Sequence, residues 1–127
     1  MLGQTAAFSG FSVDDIAAAR EFYEDKLGIA VTEANGMLHL HTAGDRDTLI
    51  YAKADHRPAT YTILNFPVDD IDAVVDALAA KGVQMTRYPG MPQDEKGIMR
   101  GRSYQRGPDI AWFTDPAGNV LSVLQDG

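Results

Sequence analysis

The chain has no cysteine, a single tryptophan, and no apolar run approaching the length of a membrane span. Without cysteine there are no disulfides, no thiolate nucleophile and no Cys-ligated zinc or iron-sulfur centre. A spanning helix needs roughly 18 or more consecutive apolar residues, so no membrane partner is expected. The amino-terminal stretch Met1 to Phe8 lacks a basic region followed by an apolar one, and a cytoplasmic location is the expectation. Positive charge is also scarce, with 11 Lys and Arg against 18 Asp and Glu and a net charge of -7. Neutralising phosphates requires a concentrated basic face, so nucleic acid is not an expected partner. The expected partner is a small molecule.

What the chain does have is a repeat. Phe11-Ser-Val-Asp-Asp-Ile-Ala-Ala18 recurs 55 positions later as Phe66-Pro-Val-Asp-Asp-Ile-Asp-Ala73, with six of eight residues identical. Each copy leads from an apolar strand-like stretch into a helix that ends at a glycine, Gly28 or Gly82. With 127 residues, 45% of them hydrophobic, the chain is expected to form one domain over 1–127 from two modules sharing a core, 5–54 and 60–127, joined by a linker over 55–59.

In the first module, Thr5 to Val13 reads as a strand, and Asp14 or Asp15 caps a helix running to about Leu27. Ile29 to Ala34 and Met37 to Thr42 flank Asn35-Gly36, a dipeptide suited to the positive φ angles of a two-residue hairpin turn. Thr48 to Lys53 completes a βαβββ order. The second module repeats it with strand Thr60 to Val68, helix Asp69 to Lys81, strand Val83 to Tyr88, and strands Asp109 to Thr114 and Val120 to Gln125. Ile71, Val74, Val75 and Leu78 form the apolar stripe of its helix.

Alternation along the strands separates two faces. Phe11, Val13, Phe66, Val68, Leu121, Val123, Leu38 and Leu40 make a uniformly apolar, helix-facing layer. The opposite face is expected to carry Phe8, Gly10 and Ser12, then Ile63, Asn65 and Pro67, then Val120, Ser122 and Leu124, with Met37, His39 and His41. Apolar surface studded with isolated polar groups is what a small-molecule pocket offers, so ligand-binding residues are sought there.

At these residues the chain resembles the vicinal oxygen chelate superfamily, which groups glyoxalase I, the bleomycin-resistance proteins and extradiol dioxygenases. The resemblance rests on Phe11-Ser-Val-Asp-Asp-Ile with Glu21-Phe-Tyr23 and Leu27-Gly28, on Val68-Asp-Asp-Ile71 with Lys81-Gly-Val83, and on Phe113-Thr-Asp-Pro-Ala-Gly-Asn-Val-Leu-Ser-Val-Leu-Gln125. It implies an α+β fold in which two paired βαβββ modules form a cupped eight-stranded mixed sheet. Similar proteins complete the cup within one chain or between two, and the expected state is a homodimer.

Metal-using members hold a divalent ion with His and Glu on the inner face. The resemblance puts those ligands at the positions of Phe8, Ile63 and Ser122 and on the strand Thr48 to Lys53, none of which carries an imidazole or carboxylate. No metal or other cofactor is therefore expected.

Other residues remain as candidates. His39 and His41 lie two apart on one strand and face the same side, and they read as polar pocket wall or an exposed hairpin face rather than as a metal clamp. His56 reads as part of a solvated linker. The long segment Pro89 to Pro108 has the length of a lid or binding arm, and its Arg100, Arg102 and Arg106 read as a solvated loop pairing its own charges or a subunit contact, with Arg102 the candidate for receiving a ligand anion. Trp112 reads equally as a residue at the mouth of the cup, where it would stack on a flat ligand, and as a core packing residue. Asp14, Asp15, Asp69 and Asp70 read as helix caps, and no catalytic residue is assigned. The function expected is metal-independent binding or sequestration of a small, partly apolar organic molecule. The alternatives are a lyase, isomerase or dioxygenase with a non-standard metal site or metal-free acid-base chemistry, and a non-catalytic interaction module.

Overall fold

A computed structural model describes all 127 residues, in two compact units, Met1–Arg57 and Pro58–Gly127. The first contains β1 (Ser9–Val13), α1 (Ile16–Glu21), a π-helical turn Phe22–Lys26, β2 (Ala30–Ala34), β3 (Met37–Thr42) and β4 (Arg46–Ala52). The second contains β5 (Thr62–Pro67), α2 (Ile71–Ala80), β6 (Met99–Arg100), a 3-10 turn Gly101–Tyr104, β7 (Asp109–Thr114) and β8 (Val120–Gln125). Their sheets run β1-β4-β3-β2 and β5-β8-β7-β6, and in each the first strand is parallel to the last while the other pairs are antiparallel. The fold is α+β, built on two four-stranded mixed sheets.

Local chemistry sets the helix ends. Asp15 accepts from the Ala18 N–H and Asp70 from the Ala73 N–H, both at 3.1 Å, so each repeated Asp-Asp uses its second carboxylate as the cap. After α2 the chain turns left-handed at Gly82 (φ +82°), and the Val83 N–H reaches the Leu78 carbonyl to satisfy the last turn. Asn35 and Gly36 take φ of 56° and 76° and join β2 to β3 as a two-residue hairpin, with Ala34 opposite Met37.

The core of each unit lies between helix and sheet. In the first, Val13, Leu38, Leu40 and Ile50 are fully buried together with Tyr23. In the second, Ile71, Val75 and Leu78 of α2 are buried along with Phe113, Leu121 and Val123. Each such Leu, Ile or Phe contributes about 1.5–3 kcal/mol by leaving water. Gly10 permits a close approach of strands, because a Cβ there would stand 3.0 Å from the Leu49 carbonyl oxygen and 3.2 Å from its Cβ.

Two expectations are corrected. Val83 to Tyr88 is not a strand, and the fourth strand of the second sheet is Met99–Arg100, inside the segment expected as a loop. The Thr86 N–H does reach the Trp112 carbonyl at 2.7 Å, but the Gln93 side chain then stands in for a ladder. Its amide accepts from the Tyr88 N–H and donates to the carbonyls of Thr86 and Gly97.

The second correction concerns β5, where the register passes from Thr62 opposite Val120 to Leu64 opposite Leu121. Ile63 is thus the extra residue of a bulge, and Thr62 takes the place on the open face that simple alternation gives to Ile63.

Candidate functional site

The sheet faces turned away from the helices are the sites to build. On the second sheet, Ser122 of β8 stands between Asn65 of β5 and Trp112 of β7 in register. The Ser122 hydroxyl donates to Asn65 Oδ1 at 2.6 Å. The Trp112 indole nitrogen donates to Thr62 Oγ1 at 3.1 Å, so the ring starts on β7 and crosses β8 to reach β5. Val120 and Ser122 lie beneath that path and are 8% and 0% exposed. Tyr88 meets the indole edge to face, with ring centroids 5.6 Å apart.

Ser122 is therefore a buried support that orients Asn65, while Asn65 is exposed and Trp112 half-buried. The residues of this face, Thr62, Asn65, Pro67, Met99, Ile110, Trp112, Thr114, Val120, Ser122 and Leu124, include no charge.

Charge is gathered on the helix side of the same sheet. Arg100 binds Asp72 of α2 through both terminal nitrogens at 2.9 and 2.8 Å and Asp94 through Nε at 2.9 Å. Lys96 reaches Asp72 and Asp76 at 3.3 and 3.2 Å. The Arg100 hydrogen bond, aided by Lys96, holds the Asp72 carboxyl well below the usual carboxylate range. Burial pushes the Asp94 carboxyl up, but donors from the Ile98 N–H, Arg100 and the Lys96 N–H outweigh it and leave the group below its ordinary value. These bonds tie Asp94 to Arg100 onto α2. Arg102 belongs to the same neighbourhood: its backbone N–H donates to Asp109 Oδ1 at 3.0 Å, and its guanidinium lies 3.5 Å from Asp109 Oδ2. It stands apart from the open face, and its charge is matched by Asp109.

On the first sheet, register places Gly10, Ser12, His39 and His41 on one face with Leu49, Tyr51, Thr32 and Asp47. His41 is held at both ring nitrogens, by Thr32 Oγ1 at 2.8 Å and Asp47 Oδ1 at 2.9 Å. Phe8 precedes β1 and is 68% exposed. His56, read from sequence as solvated linker, folds back so that its Nδ1 lies 2.6 Å from Ser12 Oγ.

Of the expected site residues, one sheet thus gathers Gly10, Ser12, His39 and His41, and the other gathers Asn65, Trp112 and Ser122. Phe8, Ile63 and Arg102 are not part of either set. Sequence reasoning missed Thr62, Tyr88 and His56. No composition signal marks the bulge that turns Thr62 inward, and the partners of Tyr88 and His56 are 24 and 44 residues away.

Two βαβββ units, each with a four-stranded mixed sheet, define a class of fold. The family model of the Glyoxalase/Bleomycin resistance protein/Dioxygenase superfamily matches residues 3–123, and the chain belongs to that superfamily. A superfamily member from Sphaerobacter thermophilus is similar in structure, with TM-score 0.71 and 23% identity over 98% of this chain and 100% of that one. TnmS3, an antibiotic binding protein from Streptomyces sp. CB03234, has TM-score 0.67 and 22% identity over 98% of both chains. FosX, a fosfomycin resistance protein from Listeria monocytogenes, has TM-score 0.69 and 15% identity over 98% of this chain and 94% of that one. No curated protein matches the chain.

The superfamily implies a divalent metal in its metal-using members, and the residues present do not fit one. No three His, Asp or Glu side chains gather where an ion would sit. Phe8 and Ile63 have no donor atom, Ser122 gives its hydroxyl to Asn65, and both nitrogens of His41 are engaged. No helix is long and apolar enough to cross a membrane.

Proposed function

We propose that this chain is a metal-independent binding protein that takes up, and by doing so sequesters, a small, partly apolar organic molecule. The observation that carries this reading is the open face of the second sheet, uncharged, with the lone tryptophan laid across it and Asn65 exposed beside it. Such a face offers apolar area with a few fixed polar groups, the usual make-up of a ligand site. The absence of carboxylate or imidazole at Phe8, Ile63 and Ser122 supports independence from metal. The antibiotic-binding and fosfomycin-resistance proteins among the structural relatives support the class of ligand by analogy of fold. A cytoplasmic homodimer is part of the proposal. Purification without chelator followed by native mass spectrometry tests it, because one spectrum reports subunit number, metal content and any retained organic molecule.

A second reading, enzymatic turnover by metal-free acid-base chemistry, has one observation in its favour. Ser12 Oγ and His56 Nδ1 are in hydrogen-bond contact on the first sheet, a hydroxyl and imidazole placed to exchange a proton. That reading requires His56→Gln to abolish conversion of a bound molecule while leaving its binding intact.

A further inference from the structure

Resting on the binding reading above, we infer that the open face of the second sheet selects a neutral, flat ring bearing an oxygen acceptor, and that the Asn65 side-chain amide reads that acceptor. The argument is a count of donors and acceptors. Trp112 spends its only donor on Thr62 Oγ1, which leaves the threonine hydroxyl proton to give elsewhere. Ser122 spends its proton on Asn65 Oδ1. The serine is fully buried and the bond short, so Asn65 is fixed with its carbonyl toward the sheet and both N–H groups of its amide outward. Around Asn65 and Trp112 the amide N–H pair of Asn65 and the hydroxyl proton of Thr62 are left as donors, and the acceptor capacity that remains, one lone pair on Thr62 Oγ1 and one on Asn65 Oδ1, lies on oxygens already engaged by Trp112 and Ser122. Thr114, at the far end of the Thr62–Val120 row, carries a hydroxyl that both gives and accepts.

Charge and shape narrow the class further. The face holds no Lys, Arg, Asp or Glu, and Arg100 and Arg102 are paired with carboxylates elsewhere, so an ionised group on the ligand would lose its hydration without compensation. The backbones of Asn65 and Trp112 are two strand spacings apart across Ser122, about 10 Å, and the indole crosses that span toward β5, which brings its ring near the Asn65 side of the face. A flat ring against the half-buried indole therefore presents a carbonyl or ether oxygen at its edge to Asn65. The ligand class is a neutral aromatic ketone, ester or ether.

The test uses three probes of one shape: 2-acetylnaphthalene, 2-ethylnaphthalene and 2-naphthoate. Each is titrated into the full chain while the Asn65 side-chain amide and Trp112 indole N–H signals are followed by proton-nitrogen NMR. Trp112 is the only tryptophan, so its indole signal needs no assignment by elimination. The expected result is that the affinity ratio of ketone to hydrocarbon falls about three- to tenfold on Asn65→Leu, the value of one neutral hydrogen bond. The ketone also binds the wild type more tightly than the carboxylate does. An unchanged ratio in Asn65→Leu, or tightest binding by 2-naphthoate, overturns the inference and leaves the binding reading standing. If no probe moves either signal, the inference fails, and the binding reading is decided separately by the adduct in native mass spectrometry. Should Asn65→Leu not fold, the wild-type ranking of ketone against carboxylate still decides.

Discussion

Ser122 and Asn65 face each other across β8 and β5, and the buried serine hydroxyl donates to the exposed asparagine's Oδ1 at 2.6 Å. The serine at this position thus aims a neutral amide.

Ser122→Ala removes that donor without leaving a buried polar atom behind. A loss of about 1 kcal/mol is expected from urea unfolding, the usual net worth of such a bond. The Asn65 amide should also lose its fixed orientation and give averaged NMR signals. An unaltered unfolding midpoint with sharp, unmoved Asn65 signals would show that the bond does not hold the amide.

Trp112 covers Val120 and Ser122 by crossing β8, so its removal opens the sheet surface. Trp112→Ala should cost roughly 2–4 kcal/mol, toward the lower end for large aromatic truncations because the ring is only half-buried. Trp112→Phe keeps one ring on the sheet and loses the bond to Thr62, and a loss smaller than that of the Ala variant, about 1–2 kcal/mol, follows. Equal stability of the Ala variant and the wild type would mean that the ring covers nothing.

Acid should release the segment Asp94 to Arg100 from α2. Asp72 and Asp94 have carboxyls held below their ordinary values, so their contribution is fully present above the unfolded-state pKa of about 3.9 and is lost as pH falls through the lower folded-state values. Urea midpoints are therefore expected to decline steeply below about pH 4, and Arg100→Met should flatten that decline. Parallel pH profiles for the two proteins would argue that the cluster adds no pH-dependent stability.

Gly97 and Gly90 both have left-handed backbones, with φ of +84° and +80°. A Cβ at Gly97 would also stand 2.7 Å from Met85 Cβ, whereas nothing lies within 4 Å at Gly90. Gly90→Ala should cost about 1 kcal/mol from backbone strain alone, and Gly97→Ala clearly more, on the order of 2–3 kcal/mol. Thermal unfolding of the two variants checks the difference, and equal losses would show that Met85 gives way freely.

The repeated Phe-x-Val-Asp-Asp-Ile announces a strand running into a capped helix because both halves of the signal are local. The Asn35-Gly36 hairpin is legible for the same reason. Faces were also readable wherever alternation ran unbroken, as from Gly10 to Ser12 or through Ser122. Ile63 escaped because a bulge adds a single residue and reverses parity with no change in composition. The strand expected at Val83 to Tyr88 has suitable residues, but the side chain of Gln93 satisfies its backbone instead, and nothing in the local sequence reveals that competition. The pairing of Ser12 with His56 and the shielding of Arg102 by Asp109 are tertiary facts, set by how the chain folds back on itself.

The most direct test of the central claim is native mass spectrometry of untagged protein purified without chelator. Metal-free protein carrying a neutral organic adduct, retained after dialysis against EDTA, is the result this account predicts. A stoichiometric divalent metal whose removal abolishes adduct binding would contradict it.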